Sequence, residues 1–118
     1  MAKDDFMLVK KMVNYLEDKK GEDILVLEVK DITLICNYFI LVTGTNPTHI
    51  QALAESLVEN LKENEDLKPM NYEGVKKGEW VLLDYGSVVV HIFDGEARKF
   101  YNLERLWGEA KEVEVEKG

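Results

Sequence analysis

The chain has 118 residues, a length that holds one domain and leaves no room for a second core. Its 46% hydrophobic content fills that core without disulfides or metal clips and excludes disorder over most of the chain. Lys and Arg number 15 against 23 Asp and Glu, and the resulting net charge of −8 excludes a general nucleic-acid binder, since a phosphate backbone selects clustered cations and repels so acidic a domain.

Phe6, Val9, Val13 and Leu16 recur at helical spacing among charged residues, which predicts an amphipathic first helix ending near Gly21. Ile24 to Val29 and Tyr38 to Thr43 are short apolar runs bounded by turn residues and predict two buried strands. After Gly44, Asn46 is placed to cap a helix with Pro47 at its first position. Ile50, Leu53, Ala54, Leu57, Val58 and Leu61 trace the buried face of that helix. Asn64 to Pro69 reads as a charged connection and Met70 to Glu73 as a short edge strand. Trp80 to Tyr85 and Val88 to Phe93, separated by Gly86-Ser87, predict a hairpin.

Phe100, Leu103, Leu106 and Trp107 are spaced for one or two short helices, and Lys111 to Gly118 for a solvated, charged tail. The expected organisation is a single α/β domain over residues 1–110 with a tail over 111–118. A mixed sheet of about five strands would be flanked by helices.

Cys36 is the lone cysteine, so an intramolecular disulfide and a Cys-only metal site are excluded, and the thiol reads as a small buried hydrophobe. Low cysteine usage and an N-terminus without an apolar leader point to the cytoplasm. No stretch approaches the ~18 apolar residues of a membrane span, so no membrane partner is expected.

The Gly44-Thr45-Asn46 turn lies between a strand and a helix, where free amides and the helix dipole can hold phosphate. It lacks the spacing of a Walker loop or a dinucleotide fingerprint. A nucleotidyltransferase would need two or three carboxylates to clamp metal ions there, but no Asp-x-Asp occurs and Asp84 alone is insufficient. With only His49 and His91 available, a His-Glu-x-x-His zinc site is absent. No cofactor, metal or catalytic residue is therefore expected. His49 reads as an exposed polar residue or an anion contact, and His91 either as a cross-strand partner in the hairpin or as a binding residue.

Strand alternation places Trp80, Leu82 and Asp84 on one face and Val81, Leu83 and Tyr85 on the other. An acid beside a large aromatic suits a binding hot spot, while a core role for Trp80 stays open.

Asn37-Tyr38-Phe39, Thr43-Gly44, His49 and Glu73-Gly74 precede the block Trp80-Val81-Leu82-Leu83-Asp84-Tyr85-Gly86, which leads into Val88 to Phe93. Arg98, Phe100-Tyr101, Leu103-Glu104 and Leu106-Trp107 follow. In this order, over almost the whole chain, they resemble the ribosomal silencing factor family, also called Iojap or RsfS. The resemblance implies a nucleotidyltransferase-like fold without the catalytic acids, and a binding protein that is not an enzyme. Its partner would be the basic ribosomal protein uL14 on the large ribosomal subunit, where the bound factor sterically blocks subunit joining and represses translation. Family members can also pair, so a homodimer is a further expectation.

Carried onto this chain, the resemblance implies a uL14 contact surface of Trp80, Asp84, Tyr85 and His91, with Glu73, Arg98 and Tyr101 at its margin. The family often has Asp where this chain has Asn37 and Ser87. The first departure removes a potential metal ligand, and the second removes a charge from the hairpin turn. The alternative reading is a small nucleotide-binding or nucleotidyl-transferring enzyme that uses the Gly44 turn.

Overall fold

A computed structural model describes residues 2–29, 36–76, 80–95 and 111–113. Its elements are α1 (Ala2–Asp18), β1 (Glu22–Glu28), β2 (Tyr38–Thr43), α2 (Pro47–Glu65), β3 (Asn71–Lys76), β4 (Trp80–Asp84), β5 (Val88–Phe93) and β6 (Lys111–Val113).

Helix α1 buries Val9, Met12, Val13 and Leu16, the i, i+3, i+4, i+7 stripe of a core-facing helix. It closes where Gly21 N–H donates to the Leu16 carbonyl at 2.9 Å, with Lys20 in the left-handed region at φ 66°. Gly21 is required there by close approach, because a Cβ would fall 2.7 Å from the Val42 side chain and 3.0 Å from the Leu16 carbonyl oxygen. Helix α2 opens as expected: Asn46 is the N-cap, its side chain accepts from His49 N–H at 2.8 Å, and Pro47 follows. Its buried residues are Ile50, Leu53, Ala54, Leu57 and Leu61. A Lys11–Glu65 ion pair of 2.8 Å links the two helices at the surface.

The strands form one mixed six-stranded sheet in the order β3-β4-β5-β2-β1-β6. The central β2–β5 pair is parallel and the other pairs are antiparallel. Every residue of β2 and β5 is buried, as their predominantly apolar runs, interrupted only by Thr43 and His91, require of strands covered on both faces. One face carries Val26, Tyr38, Ile40, Val42, Val81, Leu83, Val88, Val90 and Ile92 and packs with α1 and α2 into the main core. The second face carries Leu27, Phe39, Leu41, Trp80, Val89 and Phe93, which form a separate buried cluster with Val29 and Cys36.

The expected hairpin is present. Trp80 pairs with Phe93 and Asp84 with Val89, and Gly86 supplies the positive φ of 86° that the turn needs. The edge strand expected from Met70 is β3, beginning one residue later and running to Lys76.

The sheet holds one strand more than the five expected, and the difference lies in the segment read as a charged tail. Lys111–Val113 pair with β1 as Val26↔Val113, Leu27↔Glu112 and Glu28↔Lys111. Val113 thereby packs against the main core. The backbone hydrogen bonds on the outer edge of β1 and one apolar side chain outweigh the polar composition that suggested solvation. The short helices expected across Phe100 to Trp107 lie outside the described residues.

Candidate functional site: the outer face of the hairpin

The alternation of β4 and β5 decides which candidate residues meet. The register Asn71↔Asp84↔Val89 and Glu73↔Leu82↔His91 places Glu73, Asp84 and His91 with Trp80 on the sheet face turned away from both helices. Tyr85 points the other way. It belongs to the main core, is 7% exposed, and its hydroxyl is buried without a hydrogen-bond partner among the described residues. Burial pushes that phenol up to about 12. Arg98 and Tyr101 lie outside the described residues.

Trp80 and His91 form the centre of the patch. The indole Nε1–H donates to His91 Nδ1 at 3.2 Å, so the imidazole acts as an acceptor at that nitrogen. The ring meets Phe39 edge-on at a centroid distance of 5.3 Å, and Trp80 leans on Phe93 at 5.8 Å. Burial lowers the His91 pKa from 6.5 to about 4, which keeps the ring neutral near pH 7. Of the two readings left open for His91, the structure shows the cross-strand partner. Trp80, 9% exposed, supports the patch largely from beneath.

Asp84 is half-buried at the tip. Its Oδ1 accepts from Gly86 N–H at 2.8 Å, closing the hairpin turn, and its Oδ2 accepts from the Asn71 side chain at 3.4 Å. Cys36 is buried, and burial, with a smaller contribution from the Asp84 charge, pushes its thiol up to about 11. Glu73 is exposed.

Met70 was not among the expected contacts. It is 71% exposed, its N–H donates to the Asp84 carbonyl at 2.6 Å, and a Cβ built on Gly86 would lie 3.2 Å from its sulfur, which places the methionine against the hairpin turn. The sequence reads it as the first residue of an edge strand, but its neighbour across the sheet was not readable there. The patch therefore combines an aromatic floor with two carboxylates, and an exposed methionine lies at the adjoining turn, a combination suited to a protein surface carrying cations.

At the far end of the sheet, the Gly44 turn is internally committed. Thr45 N–H donates to His49 Nδ1 at 2.9 Å, Ile50 N–H to the Asn46 carbonyl at 2.9 Å, and Gly44 N–H to the Phe93 carbonyl at 2.9 Å. An anion would have to displace bonds already made. His49, read as an exposed polar residue or an anion contact, is instead a half-buried bridge, with Nε2 2.7 Å from the Lys19 carbonyl oxygen. No helix among the described residues is long and apolar enough to cross a membrane.

Comparison with known proteins places this geometry in a family. Residues 2–118 match the family described as ribosomal silencing factor during starvation. The Ribosomal silencing factor RsfS of Halalkalibacterium halodurans is 38% identical over 109 residues, covering 92% of each chain. The mouse Mitochondrial assembly of ribosomal large subunit protein 1 is 32% identical over 99 residues, covering 81% of this chain and 43% of that one. A crystal structure of a Chromobacterium violaceum protein superposes with a TM-score of 0.82 at 36% identity, covering 95% of this chain and 92% of the other. With its full described fold and nearly all of its sequence matched, the chain belongs to the ribosomal silencing factor family.

Proposed function

We propose that this protein is a ribosomal silencing factor that binds ribosomal protein uL14 on the large subunit and sterically blocks joining of the small subunit, repressing translation in the cytoplasm. The observation that carries the reading is the gathering of Asp84 and Glu73 with the Trp80–His91 pair on one face, with the exposed Met70 at the adjoining hairpin turn. A net charge of −8 supports it further, because complementary potentials speed encounter with a basic partner and fix its orientation. The family membership and the name of the mouse relative, which refers to the ribosomal large subunit, support the choice of subunit.

Asp84 and Glu73 supply charge, Met70 supplies apolar contact, and Trp80 with His91 holds the surface in shape. Tyr85 acts from the core by supporting the hairpin, and Arg98 and Tyr101 remain margin contacts carried by the resemblance. Steric exclusion needs no turnover, cofactor or metal.

The test is co-sedimentation of the protein with isolated large subunits, small subunits and joined ribosomes over a salt series. Binding to free large subunits alone, weakened by salt and competed by purified uL14, is the expected result. Binding to none of the three particles would overturn the reading.

A further inference from the structure

His49 has a role that the proposed function leaves unused. Its Nδ1 accepts from Thr45 N–H at 2.9 Å, while Nε2 lies 2.7 Å from the Lys19 carbonyl oxygen, a group that only accepts. The ring proton is therefore on Nε2. Lys19 is the first residue past α1, and Thr45 lies in the turn between β2 and α2. One imidazole thus fastens the end of the first helix to the start of the second. The His49 backbone is held in the first turn of α2 because its N–H donates to Asn46 Oδ1 at 2.8 Å.

We propose that His49 is a proton-operated clip: in the neutral form it ties the end of α1 to the Thr45 amide in the β2–α2 turn, and protonation frees that amide. A second proton must go on Nδ1, where it would face the Thr45 N–H, donor against donor. The acceptor within reach is Thr45 Oγ1, 3.2 Å from Nδ1, so the ring transfers from the amide to the hydroxyl and the amide loses its partner. The Lys19 side survives, because Nε2–H remains a donor and the negative end of α1 favours a cation.

The charged groups on the elements meeting here are Asp18, Lys19 and Lys20 at the end of α1, Glu22 and Asp23 at the start of β1, and Asp94 just past β5. The first turn of α2 contributes no acid, so its positive dipole end opposes the imidazolium without compensation from that helix. His49 is half-buried and lies outside the buried core clusters. Histidine is the side chain whose charge ordinarily changes between about pH 5 and pH 8, which makes the clip testable in that range.

The experiment follows the full-length, nitrogen-15-labelled chain by NMR from pH 8 to pH 5. It reads the His49 ring nitrogens together with Thr45 amide hydrogen exchange corrected for its intrinsic pH dependence. The expected result is an Nε2–H tautomer at pH 8 and a loss of Thr45 protection of about tenfold that shares its midpoint with ring protonation. Amides of β4 should not follow it. The variant His49→Gln should remove the pH response, and if that variant does not fold, the two wild-type curves decide alone. An Nδ1–H tautomer at pH 8, Thr45 protection unchanged through His49 protonation, or no ring protonation above pH 5 would each overturn the clip.

Discussion

The indole N–H of Trp80 donates to Nδ1 of His91 across 3.2 Å, joining two neighbouring strands through their side chains. Around this bond the cluster consists of aliphatic and aromatic residues and one thiol, so it is a polar contact in a surrounding of low polarity. The acceptor exists only while the imidazole is neutral.

That requirement gives the fold an acid limit. In the unfolded chain a histidine titrates near 6.5, whereas folded His91 titrates near 4. Above 6.5 both states are neutral and the group costs nothing; between 6.5 and 4 the unfolded state alone binds the proton, and stability falls as pH falls; below 4 the loss levels off. The full loss is about 3 kcal/mol. Urea unfolding at stepped pH should show this slope, and His91→Asn, which keeps an acceptor but does not titrate, should lack it. Equal slopes in the two proteins would assign the acid sensitivity to the carboxylates.

Tyr85 gives a prediction of opposite sign. Its hydroxyl is buried with no hydrogen-bond partner among the described residues, so Tyr85→Phe removes an uncompensated polar group and leaves the ring in place. Stability should rise by about 1 kcal/mol, visible as a Tm increase of a few degrees. A fall in Tm would mean that the hydroxyl meets a bound water or another partner.

Asp84 combines a turn bond with a surface charge, and two substitutions separate them. Asp84→Asn keeps an oxygen for Gly86 N–H and removes the charge, so stability should change by less than about 1 kcal/mol while large-subunit binding weakens and loses part of its salt dependence. It should also lower the Cys36 thiol pKa, which the Asp84 charge helps to raise. Asp84→Ala removes the turn bond as well, at a further cost of about 1 kcal/mol. Unchanged binding by a folded Asp84→Asn protein would move the contact surface elsewhere.

Those features that depend on spacing within one segment were legible in the sequence. The Asn46-Pro47 start of α2, the Gly86-Ser87 turn, and the division of Trp80 and Asp84 from Tyr85 all follow from local periodicity and turn chemistry. Features that depend on a distant partner were not. Lys111–Val113 acquires its strand from the edge of β1, Met70 gains its significance from Asp84, and His49 from a carbonyl thirty positions earlier. In each case a polar or ambiguous segment takes its role from a backbone group that local composition cannot reveal.

The parallel pairing of β2 with β5 also governs when the protein can fold. Tyr38 pairs with Glu28 on one side but finds its partner on the other only at Val88, so the two strands that fill the centre of the sheet come from distant parts of the chain. Loop closure must come before most of the apolar burial, which favours slow folding with little partial order. During synthesis, a nascent chain that has not yet extruded Phe93 carries β1, β2 and both helices with their central partner incomplete. Such a chain exposes the inner edge of β2 to the surroundings of the exit tunnel until β5 arrives and closes it.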